Sequence, residues 1–164
     1  MVVKKTFEPM QQASRAECEL CVSLLPYGPS FLFVDQVLEM DSEHVLGTYT
    51  FRPEAFFFPD HFPGEPIAPG AILTECMAQI GLTTWGIYLS GTYQDQKKQP
   101  FAFTHAEVEF LSPVYPGDQV HVWARKVYFR FGKLKVKAEM QNANGKPVCR
   151  GELSGMVLRE KPNP

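Results

Sequence analysis

The sequence predicts an α+β domain: one long buried helix wrapped by a single curved antiparallel sheet. Three observations predict it. Residues 71–89 are long enough for five helical turns, carry one charge, Glu75, and are apolar round most of the circumference, which marks a helix covered on all sides. Four extended stretches follow, at 104–111, 119–131, 133–142 and 147–158, broken by Pro113–Asp118, by Gly132 and by Asn144-Gly145, the last a strong hairpin signal. The composition, 45% hydrophobic and 21% charged over 164 residues, supports one core and excludes a disordered chain. A single domain spanning 1–164 is the expectation.

The elements follow in order. Helix formers fill 13–25 and stop at Leu25-Pro26. Cys18 and Cys21 form a Cys-x-x-Cys pair on that helix. Zinc would need a second pair at matching spacing, and Cys76 and Cys149 stand alone. A redox pair would sit beside a βαβ unit, which the pattern lacks, so both read as ordinary helix residues. The N-terminus is polar after its first residues, and no run approaches the ~18 apolar residues of a membrane span. A reduced, cytoplasmic protein is expected. Tyr27–Ser30 is a turn by composition, Phe31–Met40 reads as a strand, and His44–Phe51 as a second strand joined through Asp41-Ser42-Glu43.

Phe56–Gly70 is the unusual stretch, with four prolines, two glycines and four phenylalanines in a chain that has fourteen Pro and thirteen Phe in all. No helix or central strand tolerates that proline density, so it is an ordered loop feeding the long helix. Beyond the helix, 94–99 is a polar loop, and 133–138 alternates between a wet and a dry face.

Three residues of this region suggest chemistry. His61 lies among Phe and Pro, where an imidazole is least expected, and Glu75 is the lone charge of an apolar helix. Burial raises the pKa of a carboxyl and lowers that of an imidazole, which leaves an acid and a base in the forms that proton transfer needs. Gly70 opens the helix, where free N–H groups and the positive dipole end can hold a developing oxyanion. Glu75 is about 7.5 Å further along the axis at ~1.5 Å per residue, and Gln79 stands one turn beyond it, within hydrogen-bonding reach.

His61-Phe-Pro-Gly-Glu-Pro-Ile-Ala-Pro-Gly70, followed by Glu75 and Ala78-Gln79, resembles the signature of the 3-hydroxyacyl-acyl carrier protein dehydratases, hotdog-fold enzymes of fatty-acid synthesis. The similarity extends to Leu25-Pro26, to Phe31-Leu-Phe-Val-Asp35 and to Pro113-Val-Tyr-Pro-Gly-Asp118, and so covers roughly 20–158. The resemblance implies a hotdog fold. It also implies removal of water from (3R)-3-hydroxyacyl thioesters on acyl carrier protein, giving trans-2-enoyl thioesters for fatty-acid, polyketide or polyene synthesis. Neither cofactor nor metal is implied. His61 would remove the α-proton, Glu75 would help the β-hydroxyl leave as water, and the Gly70 N–H would polarise the thioester carbonyl. In the family the His and Glu of one site come from two protomers, so a homodimer is expected, with a hexamer as a possible larger assembly. Glu at 75, where dehydratase–isomerase relatives carry Asp, favours the plain dehydratase. Asp60, where many members have Gly, and Tyr27-Gly28-Pro29, which lacks the usual basic pair, bear on substrate entrance and chain length.

The formal net charge of −2 argues against nucleic acid as partner. Between Val120 and Ala138, however, there is no Asp or Glu, while Arg125, Lys126, Arg130, Lys133, Lys135 and Lys137 all occur. An acidic carrier would dock there by charge complementarity, with Arg125, Lys126 and Arg130 as the expected contacts, whereas the alternating lysines read as a solvated face. Two rival functions stand beside the dehydratase. A hotdog acyl thioesterase leans on a carboxylate to activate water and does not require His61. A catalytically silent acyl-binding hotdog protein would not require the His61–Glu75 pair.

Overall fold

A computed structural model describes residues 11–158. Helix α1, Arg15–Ser23, starts at Ser14, whose hydroxyl accepts the Glu17 N–H while the Glu17 carboxylate accepts the Ser14 N–H. It lies within the predicted 13–25. Six strands then form one antiparallel sheet: β1 Gln36–Met40, β2 His44–Thr50, β3 Phe101–Phe110, β4 Gln119–Arg130, β5 Lys133–Asn142 and β6 Pro147–Val157. Their spatial order is β1-β2-β4-β5-β6-β3, so β1 and β3 are the two edges.

The strand expected from Phe31 begins only at Gln36. Pro29–Phe31 is a turn of 3-10 helix, and the Phe33 N–H donates to the side chain of Gln79 (2.7 Å) instead of to a neighbouring strand. Asp35 then anchors the entry to β1: its carboxylate accepts the Thr50 N–H (2.7 Å) and pairs with Arg52 (3.0 Å). This accounts for the Asp at the end of Phe31–Asp35.

The long helix runs without a break from Gly70 to Ser90, close to the expected 71–89, but its middle is wider than an α-helix. It comprises α2 Gly70–Ala78, a π-helical segment Gln79–Thr84 and α3 Trp85–Ser90. The Thr84 hydroxyl donates to the Gln79 carbonyl (2.7 Å) within this wide turn. Every residue from Cys76 to Ile87 is buried, as a helix apolar on all sides requires. Gly81 lets the helix approach the sheet, since a Cβ there would stand 3.1 Å from that of Ala124. Trp85 is fully buried and donates its indole N–H to the Asp41 carbonyl (2.8 Å), which ties helix to hairpin.

All four cysteines are free and buried. Cys18 and Cys21 lie in α1, where burial pushes the Cys21 thiol up to about 12 and removes thiolate character. No helix among the described residues is long and apolar enough to cross a membrane.

Candidate active site

The His61 loop is held from both sides by elements distant in sequence. At its start, rings pack edge-on in a chain from Phe33 to Tyr49 (5.6 Å between centroids), Tyr49 to Phe51 (4.9 Å) and Phe51 to Phe57 (6.4 Å). Phe57 and Phe58 are buried by this packing. At its end, the Ala68 N–H donates to the Val114 carbonyl (2.8 Å). Val114 belongs to the Pro113–Asp118 turn, which Phe51 locks by accepting the Gly117 N–H and donating to Asp118. Gly117 takes φ +89°, a conformation that requires glycine. The two motifs remote from His61 in sequence are thus its mounting.

Within the loop, His61 donates its backbone N–H to Phe57 (3.0 Å) and accepts the Ile67 N–H (2.9 Å). Its ring stacks on Phe62 at 4.2 Å. Nδ1 lies 3.0 Å from the Ile67 carbonyl oxygen. A carbonyl only accepts, so Nδ1 carries a proton, and in the neutral ring the lone pair is therefore on Nε2. That is the tautomer of a general base.

Glu75 and Gln79 are joined as the helical spacing anticipates. The fully buried Gln79 amide donates to Glu75 Oε1 (2.9 Å) and to the Phe31 carbonyl (2.9 Å), and its oxygen accepts the Phe33 N–H (2.7 Å). One side chain therefore fixes the carboxyl to the Phe31–Phe33 segment. Burial holds the Glu75 carboxyl above the usual glutamate range, and the Gln79 hydrogen bond offsets part of that rise.

Gly70 is the first residue of α2, and its N–H has no acceptor among the described residues. The Phe110 ring covers it so closely that a Cβ would fall 3.0 Å from the ring. Glu75 instead borders a cleft of about 90 Å³ with Tyr27, Ala78, Leu82, Thr83, Phe101, Phe103 and Gly155. His61 does not line that cleft. A single chain thus brings Glu75 and Gln79 together but leaves His61 apart from them.

Thr83, Phe101 and Phe103 are lining residues that the sequence does not mark, whereas Tyr27 belongs to the Tyr27-Gly28-Pro29 stretch expected to bear on substrate entrance. Tyr27 reaches the cleft through a hydrogen bond to Thr83 (2.9 Å), and burial raises its phenol pKa. Larger hollows of about 540 and 700 Å³ lie on the outer face of the sheet and beside α1, and none of the site residues lines them.

The structure divides the basic residues. Lys126 is committed to its own chain, donating to the Ser42 carbonyl and to Glu43 (3.0 Å). Lys135 and Lys137 share Glu152. Arg130 lies over the Tyr128 ring at 4.8 Å, and Arg125 is exposed on β4.

Comparison with known proteins agrees with the fold. Residues 25–152 match the model of the FabA-like domain. A 3-hydroxyacyl-acyl-carrier-protein dehydratase FabZ from Syntrophobacter fumaroxidans is 36% identical over 116 residues, covering 70% of this chain and 76% of that one. FabZ of Bartonella henselae is 28% identical over 95% of this chain and 99% of its own. Among solved structures, the dehydratase heterocomplex ApeI:P from Xenorhabdus doucetiae superposes with a TM-score of 0.71 at 15% identity, over 85% of this chain and 91% of that one. The PaaI protein of E. coli superposes at 0.53 with 16% identity, over 78% and 81%. At such identities these two speak for the hotdog fold alone.

Proposed function

Because the chain belongs to the FabA-like family, we propose that it removes water from 3-hydroxyacyl thioesters carried on acyl carrier protein, giving 2-enoyl thioesters. The observation that carries this reading is that the chain holds both a histidine fixed through Nδ1 by the Ile67 carbonyl and a glutamate whose carboxyl burial holds toward its protonated form. His61 Nε2 takes the α-proton. The electrons move to form the α,β-double bond, and the β-hydroxyl leaves as water on receiving the Glu75 proton. The Gly70 N–H, at the positive end of α2, steadies the charge that gathers on the thioester oxygen.

The site is completed by a second copy. Among the described residues strand β3 pairs only with β6, and its other edge is open along ten residues. Phe103, Phe110 and Leu111 are exposed at that edge, and Phe56 and Phe62 are exposed on the His61 loop. The Glu75 cleft lies at the Phe101–Phe103 end of β3, whereas Gly70 lies at the Phe110 end. Two β3 strands paired antiparallel about a two-fold axis set the start of one beside the end of the other. Glu75 of one protomer then faces His61 and Gly70 of its partner, and the covered Phe side chains keep the site dry.

Incubation with a 3-hydroxyacyl carrier thioester tests this when enoyl product and free thiol are followed separately. Enoyl formation that disappears in both His61→Ala and Glu75→Gln is expected. Release of free thiol without enoyl product would make the protein a thioesterase, and no turnover by folded wild type would make it a binding protein.

A further inference from the structure

The β4–β5 hairpin ends in a turn that the fold alone does not account for. Phe131 and Gly132 form its two-residue loop, with φ +52° and +74°. Such a turn favours Asn-Gly, and a bulky aromatic at positive φ is strained. Phe131 gains no burial in return, for 94% of its surface is exposed. The chain does place Asn-Gly at 144–145, in the β5–β6 turn. An aromatic ring is therefore held in solvent where Asn would be easier to fold.

Its surroundings indicate what covers it. Arg130 and Lys133 flank the loop, and neither has a carboxylate partner among the described residues, in contrast to Lys126, Lys135 and Lys137. Val127, Met156 and Leu158 add exposed apolar surface nearby, each at least 40% exposed. The tip stands at the Glu75 end of the sheet: Lys133 pairs with Met156, Leu134 with Gly155, and Gly155 with Phe103, the last two lining the cleft. A single aromatic flanked by two cations that no carboxylate of the described residues pairs matches an acidic protein surface with an apolar depression.

We propose that Phe131, flanked by Arg130 and Lys133, is the anchor by which the acyl carrier protein docks. This rests on the dehydratase reading for the identity of the partner. It moves the docking contact from Lys126, which Glu43 neutralises, to the hairpin tip.

The test compares wild type, Phe131→Ala, Phe131→Asn and Arg130→Glu/Lys133→Glu. Affinity for the acylated carrier is measured by titration, and turnover is measured with the same acyl chain on carrier and on free pantetheine. The expected result is roughly a tenfold or greater loss of carrier affinity in each variant, the cost of removing an anchoring aromatic or reversing its charges. The pantetheine substrate should keep its kcat/KM, and Phe131→Asn should melt no lower than wild type because the strain is relieved. Unchanged carrier affinity overturns the proposal. So does an equal loss on both substrates, which would place the tip in the site itself, or a change in oligomeric state, which would make it a contact between copies. A wild type that binds carrier but dehydrates neither substrate refutes the dehydratase reading instead, and the titration still decides the docking.

Discussion

Replacing Gln79 by Met removes three hydrogen bonds while keeping the shape of the side chain. The Phe31 carbonyl belongs to a residue 40% exposed and recovers a bond from water, but the Phe33 N–H belongs to a residue only 1% exposed and does not. An orphaned buried N–H costs ~1–3 kcal/mol, so a loss of about 2 kcal/mol is expected. At ~2–4 °C per kcal/mol for a domain of this size, Tm falls by about 4–8 °C. A thermal melt reads this directly. The second effect is chemical. The Gln79 N–H lowers the Glu75 pKa, so without it that pKa rises further and the carboxyl keeps its proton to higher pH. The alkaline limb of the kcat/KM profile should move to higher pH, while kcat falls ~10- to 100-fold because the acid is no longer aimed. A lowered Tm with an unmoved limb would reduce Gln79 to a scaffold residue, and an unchanged Tm would refute the buried network.

Three further outcomes follow from the same structure. Glu75→Gln should abolish dehydration by ~10²- to 10⁴-fold yet leave a protein at least as stable as wild type near neutral pH. A carboxyl raised above its ordinary 4.5 binds more protons folded than unfolded, so its stability contribution falls as pH rises from that value through the folded pKa; melts at several pH values that show the variant less stable above this window contradict it. Thiol reagents should label none of the four cysteines in the native protein and all four after denaturation, since each is buried and Cys149, like Cys21, is pushed up to about 12; rapid native labelling of Cys18 or Cys21 counts against the packing of α1, and of Cys76 or Cys149 against that of α2 on the sheet. Gly151→Ala drives a Cβ into the Glu107 carbonyl of the neighbouring strand and should cost about 3 kcal/mol, the upper part of the overpacking range; a melt within ~2 °C of wild type would show that β3 is not held as described.

Much of the candidate site is legible in the sequence because its residues are placed locally. Gly70, Glu75 and Gln79 follow one another on a single helix, and a helix fixes their spacing before any tertiary contact forms. His61 stands out because proline density forces an ordered loop around it. What escaped depends on partners distant in the chain. The early strand is shorter than expected because the Phe33 N–H is claimed by Gln79, 46 residues away. The ion pair of Lys126 with Glu43, 83 residues away, is likewise invisible in the local sequence. The Glu75 cleft draws Tyr27, Thr83, Phe101 and Gly155 from four separate elements or turns, and no local pattern groups them. The loop phenylalanines divide in a way that composition cannot show: Phe57 and Phe58 enter the core, while Phe56 and Phe62 remain exposed beside the open edge.

The central claim is that one dehydration site is built from two protomers, with His61 from one and Glu75 from the other. Mixing His61→Ala with Glu75→Gln tests it most directly. Each variant alone is inactive, but a mixed dimer holds one site with both wild-type residues and one with neither. Random pairing at equal amounts makes about half the dimers mixed, each with one of its two sites intact, so activity should return to ~25% of wild type. Differently tagged variants confirm that mixed dimers form. Recovery near that level is the predicted result; verified mixed dimers that stay inactive would contradict the shared site.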